Sequence, residues 1–168
     1  MRPSLTLVLL LFCWLLPPTQ QTIVRFEDYQ VAVYRGTIHR PKWLRRVDDV
    51  WRDDLNKMVE PPEINFAGKY FVAVHSCGTE CRYYTMTDLS SARELNLLES
   101  FATAEPQPQT REGYPYLTEL VTRPDSKLLV AQYYIKAPGG QICRERSFVF
   151  GAGKITPVTG TRPTCTQF

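Results

Sequence analysis

A chain of 168 residues, 43% hydrophobic and 22% charged, suffices for one globular domain and excludes a wholly disordered chain or two domains of ordinary size. A formal net charge of +3 is too small to point to nucleic acid. Aromatics at 12%, with nine tyrosines, favour strands.

Residues 1–21 come first. Arg2 precedes an apolar run from Leu5 to Leu16, and Pro17-Pro18 end it. That run is well short of the roughly 20 residues that a spanning helix needs. It reads as a secretory signal, with an uncleaved anchor as the alternative, since "PPTQQ" lacks small residues for cleavage. No stable membrane span is expected, and residues 22–168 read as a single α+β domain. Cys13 lies inside the apolar run, and the residues before it are wrong for lipidation. The other four cysteines are Cys77, Cys81, Cys143 and Cys165. An even number in an exported chain reads as disulfides. Three pairings are open, and the local one, Cys77–Cys81 with Cys143–Cys165, is favoured. The second of these closes a loop of roughly 20 residues, worth about 3 kcal/mol in loop entropy.

A strand is expected around Tyr29 to Tyr34, where β-formers cluster. Next, Trp43, Leu44, Val47, Val50, Trp51, Leu55, Met58 and Val59 recur at three- and four-residue steps, the stripe of a helix. Pro41 suits its first turn and Pro61-Pro62 its end. Lys42, Arg45 and Arg46 oppose the helix dipole, and Asp48, Asp49, Asp53 and Asp54 offset them as a solvated face. An acid/base or Ca²⁺ role for those aspartates is the sharper and less favoured reading.

"FAGKYFVAVHSC" and "CRYYTMTDL" predict a hairpin, and "ELNLLESF" a third strand. "ATAEPQPQTREGYPY" reads as a long surface connection. Two strands flank the Pro124-Asp125-Ser126 turn, and a last hairpin turns at Gly151 and Gly153. The sum is an N-terminal helix packed on an antiparallel β-meander of six or seven strands, an α+β fold with two disulfides.

Three stretches carry a resemblance: Asn65, Phe66, Ala67, Gly68, Lys69 and Tyr70; Cys77, Gly78, Thr79 and Cys81; and Pro124, Asp125, Ser126, Lys127, Leu128 and Leu129. Over roughly residues 43–150 the chain resembles a family of small exported bacterial proteins, mostly of uncharacterised function, with Asn-Phe-Ala-Gly-x-Tyr and Cys-Gly-Thr-x-Cys motifs. The resemblance implies export to the periplasm or beyond and a shared fold, and no activity. His75 stands where that family usually has tryptophan. "DLSSAREL" replaces its Asp-x-x-Thr-Gly-Lys turn.

The Cys77-Gly78-Thr79-Glu80-Cys81 loop is read first as a staple, with Gly78 free to take positive φ. A copper or zinc set of His75, Cys77 and Cys81 is the alternative. A redox pair would have the Cys-x-x-Cys spacing on a helix start, and a Cys77 nucleophile with His75 as base has no assured contact along a strand. A closed loop loses little entropy on docking, and Thr79, Glu80 and Arg82 would meet a partner. The layout is similar to one class of periplasmic lysozyme inhibitor, which inserts a cysteine-closed loop into an active site. His39 with Arg35, Arg40, Lys42, Arg45 and Arg46 reads as a solvated segment in preference to an anion-binding patch. Tyr83-Tyr84, Tyr133-Tyr134 and "GYPY" read as strand aromatics in preference to a sugar-stacking face. Nothing resembles a phosphate loop, a hydrolase elbow or a Cys₄ zinc site.

The expectation is therefore an exported, non-enzymatic binding domain without cofactor, presenting the Cys77–Cys81 loop to another envelope protein or glycan and not to nucleic acid. A periplasmic copper or zinc protein is second, and a purely structural accessory domain third.

Overall fold

The computed structural model describes residues 24–168, so the segment read as a signal or anchor lies outside the described residues. Among the described residues, nine strands form three antiparallel sheets: β1 (Arg45–Val47) with β2 (Val50–Arg52); β3 (Tyr70–Gly78), β4 (Cys81–Asp88) and β5 (Arg93–Leu95); and β6 (Tyr116–Thr122), β7 (Leu128–Ala137), β8 (Gly140–Gly151) and β9 (Lys154–Pro157). The helical elements among the described residues are two 3₁₀ turns, Phe26–Tyr29 and Glu99–Phe101.

The α+β expectation is therefore corrected to a nearly all-β fold. The expected helix is absent because Asp48 and Asp49 both take left-handed backbone, at φ 47° and 62°. Two such residues make the tight turn whose twist suits a hairpin, and aspartate tolerates that region better than most residues. The chain reverses there, Val47 pairs with Val50, and Arg46 binds Asp49 across the turn at 2.9 Å. Asn56, at φ 60°, reverses it again and sets Met58 against Arg52. The apolar stripe is thereby scattered. Leu44 and Val59 are buried, whereas Val47, Leu55 and Met58 are exposed.

The strand expected at Tyr29–Tyr34 is also absent. Gln30 makes a single bridge to Ser126, and the next residues run as a tether. "ELNLLESF" supplies only the end of β5 before turning. In place of one meander the strands divide among separate sheets. The β3–β4 hairpin and the two disulfides, Cys77–Cys81 and Cys143–Cys165, are present.

Strand alternation explains the layering. Tyr70, Val72, Tyr84 and Met86 face Leu129, Ala131 and Phe150 of the four-stranded sheet. Phe71 and Ala73 face the opposite way, onto Leu44, Val59 and Leu89. Leu128 and Val130 cover the outer face of β7 with Phe26. Each fully buried large side chain contributes about 1.5–3 kcal/mol.

Two motif stretches meet in space. The Asn65 side chain donates to the Val72 carbonyl at 2.8 Å and accepts from the Val72 amide at 2.7 Å. Ala67 and Gly68 turn at positive φ, and their amides donate to Ser126 and Pro124 at 3.0 and 2.7 Å. A side chain at residue 68 would place its Cβ 2.4 Å from the Ala32 carbonyl oxygen. The Gly68 carbonyl accepts from the Tyr34 amide at 2.7 Å, and the Ser126 hydroxyl donates to the Phe26 carbonyl at 2.7 Å.

Candidate functional site

The far end of the β3–β4 hairpin carries the stapled loop. The register shifts between Ser76 and Gly78, and Gly78 (φ 143°) and Glu80 (φ 59°) turn the chain. The Cys77–Cys81 disulfide closes this turn with Cα atoms 5.0 Å apart. Ser76 through Glu80 are exposed. Glu80 pairs with Lys136 at the end of β7, and the Arg82 carbonyl accepts from the Thr103 amide at 2.8 Å. The tip is thus held at its base from two sides. Beside it lies a hollow of about 290 Å³ bordered by Met58, Val74, Gly78 and Arg82. Met58 is 69% exposed and Val74 42%, large apolar side chains left in water next to the loop.

His75 points the other way. On β3 it follows Phe71 and Ala73 at two-residue steps, so it faces the segment of the β1–β2 hairpin. It is 2% exposed. Its Nδ1 lies 2.9 Å from Asp53 Oδ2, and its Nε2 2.9 Å from Thr85 Oγ1. An ionised carboxylate only accepts, so Nδ1 donates, and in the neutral ring Nε2 accepts from the threonine hydroxyl. Tyr83 stacks on one face of the imidazole, with centroids 4.5 Å apart and planes 8° apart, and Trp43 packs edge-on at 4.6 Å. Asp53, 1% exposed, also accepts from the Lys57 amide at 2.8 Å. Burial raises the Asp53 pKa, but the His75 and Lys57 hydrogen bonds outweigh it and hold the carboxyl below its ordinary value of 3.8.

The copper or zinc set does not form. The two sulfurs are bonded to each other, and both ring nitrogens of His75 are turned inward to Asp53 and Thr85. No group of three or more His, Cys, Asp or Glu able to hold an ion occurs among the described residues. The acidic run separates likewise. Asp48 and Asp49 form a turn, Asp53 is buried on His75, and Asp54 is exposed, so the shared helix face is corrected. The His39 amide donates to the Leu89 carbonyl at 2.8 Å, and the guanidiniums of Arg40 and Arg46 lie near the Trp51 ring. The tyrosines divide between faces. Tyr83 covers His75, Tyr84 is buried and donates to the Thr118 carbonyl at 2.7 Å, and Tyr134 donates to Gln132 at 3.0 Å.

Two buried polar clusters escaped the sequence reading. One is Asp53–His75–Thr85. The other is Glu145, 1% exposed, which accepts from Arg162 (2.7 Å) and from the Thr166 amide (2.7 Å) and hydroxyl (2.9 Å). The second had a signal, since the Cys143–Cys165 pairing brings Thr166 beside β8, two residues from Glu145.

Asp88, almost buried, is a second depressed carboxyl. Burial raises its pKa, but the hydrogen bonds from Lys69 at 2.7 Å and from the Ser90 hydroxyl and amide outweigh it and hold the carboxyl below its ordinary value. Carboxyls depressed in the folded state stabilise it above their unfolded pKa, and that stabilisation is lost as pH falls through the folded value. The urea midpoint is therefore expected to hold from pH 7 to about 5 and to drop below about pH 4. Asp88→Asn should flatten that drop, and an unchanged slope would refute the assignment.

Comparison with protein-family models, with curated proteins and with solved structures finds no match.

Proposed function

We propose that this protein is an exported, non-enzymatic binding domain that presents its disulfide-closed β3–β4 tip to another protein of the bacterial envelope, in the manner of an inhibitor or envelope factor. The observation that supports this most is the tip itself. It is exposed, covalently closed, tied at its base, and flanked by the exposed apolar side chains of Val74 and Met58. Such a surface is pre-organised, so docking costs it little ordering entropy. Two disulfides fit an oxidising compartment outside the cytosol. No helix among the described residues is long and apolar enough to cross a membrane.

Immobilised wild-type domain is expected to retain an envelope protein that the Thr79→Ala/Glu80→Ala variant recovers at least tenfold less well. Lys136→Ala, which breaks only the ion pair behind the tip, separates loss of support from loss of contact. Equal recovery by wild type and the double variant would remove the tip as the contact surface.

A further inference from the structure

The inner face of the four-stranded sheet continues past its core. Tyr116 on β6, Tyr133 and Ile135 on β7, and Arg144 and Arg146 on β8 all lie on that face, with Tyr133 directly opposite Arg144. Tyr133 packs against the edge of the core and Ile135 is buried, whereas Tyr116, Arg144 and Arg146 are only half-buried. They line a hollow of about 550 Å³ whose rim is the 109–112 segment, including Thr110, Arg111 and Glu112. That volume lies within the range of about 300–1,000 Å³ of small-molecule sites.

The rim is built. The Thr110 amide donates to the Tyr114 carbonyl at 2.9 Å, the Gly113 amide to Thr110 at 3.0 Å, and Gln109 bridges Pro115. Lys136 then ties Pro115 to the end of β7 at 3.0 Å. The stretch read as a loose surface connection is thus pinned to β6 and β7.

The guanidiniums of Arg111, Arg144 and Arg146 and the one carboxylate of Glu112 line this hollow. Arg146 is aimed by a bond from its Nε to the Thr159 carbonyl at 3.1 Å and by the Phe148 ring at 5.5 Å. Among the described residues, the guanidiniums of Arg111 and Arg144 have no hydrogen bond or ion pair. Glu112 is held ionised, its pKa lowered by the Thr110 hydroxyl and its own amide and also by Arg144 and Arg111. The hollow therefore keeps an excess of positive charge. Its floor is a corner of two rings, Tyr116 and Tyr133, with centroids 5.6 Å apart and planes at 88°.

A perpendicular pair of rings gives no parallel slot for a planar base. It offers one ring face and one ring edge to a puckered ring with C–H groups on its faces. Planar guanidiniums bind carboxylates through paired hydrogen bonds. We infer that the hollow between the 109–112 rim and strands β6–β8 is a binding site for an acidic saccharide, with sugar rings against Tyr116 and Tyr133 and uronate carboxylates on Arg111, Arg144 and Arg146. This site is separate from the stapled tip and does not depend on the tip's function.

The purified protein is titrated with trigalacturonate, maltotriose and inorganic sulfate, followed by tyrosine fluorescence and amide NMR. Trigalacturonate is expected to bind, weakening as salt screens the charge, with shifts confined to β6–β8 and the rim. Arg111→Gln/Arg144→Gln, which removes no hydrogen bond within the described fold, should weaken it at least tenfold with an unchanged melting curve. Tyr116→Leu should weaken the saccharide while leaving weak sulfate binding as it was. Three results would each overturn the inference: no shift with trigalacturonate, sulfate or maltotriose binding as well as trigalacturonate, or full binding by the double-glutamine variant. The Thr79→Ala/Glu80→Ala protein should bind the saccharide like wild type, which keeps the two sites' tests apart.

Discussion

His75→Ala is expected to cost about 3–5 kcal/mol of folding stability, the range for truncating a buried ring, with the buried Asp53 carboxylate also losing its hydrogen-bond donor. The substitution deletes a ring packed between Tyr83 and Trp43 and leaves the buried Asp53 Oδ2 without its hydrogen-bond donor. Urea denaturation of His75→Ala, Asp53→Asn and the double variant forms a cycle. The double variant should lose less than the sum of the two singles by more than about 1 kcal/mol, because the pair acts as a unit. Additive losses, or a His75→Ala loss under about 1 kcal/mol, would show that the histidine does not hold the β1–β2 segment to β3.

Glu145→Ala comes second, at about 2–3 kcal/mol. It orphans the Thr166 amide and hydroxyl and the Arg162 guanidinium together. Gln132, whose side-chain amide donates to the Thr166 carbonyl at 2.7 Å, holds the same tail from β7. The Cys143–Cys165 bond keeps the tail attached, so the tail should lift locally and not leave. Hydrogen exchange at the Thr166 amide reports this directly. It should accelerate in Glu145→Ala and stay slow in Glu145→Gln, which keeps an acceptor. Equal protection in the two variants would show that the Glu145 side chain does not hold the tail.

Strands were readable where runs of β-formers lie between turn signals. The unbroken run Tyr70–Val74, buried on both faces as far as Ala73, marks β3, and Pro124-Asp125-Ser126 marks the turn before β7. Local sulfur pairing was readable because each pair is close in sequence. The helix expectation failed on a competition between signals. Eight apolar residues at helical steps outweighed Asp48-Asp49, yet two aspartates that accept positive φ decide the geometry at that point. With the helix removed, the carboxylates could not share a face, and Asp53 became available to His75. That contact spans 22 residues and two chain reversals, so no local pattern announces it. The tyrosines show the same limit. Tyr116 and Tyr133 pair only because β6 and β7 take the register that sets Tyr116 opposite Ile135.

The turn at Ala67-Gly68 has a consequence for the order of assembly. It gathers Ala32 and Tyr34, the entry to β3, and the Pro124–Ser126 corner into one place. Each hairpin can close from neighbouring residues, but this junction needs segments drawn from the start, middle and last third of the chain. Joining distant segments carries a loop-closure cost that nearby contacts escape, so the junction is expected to form after the hairpins and its amides to gain protection last.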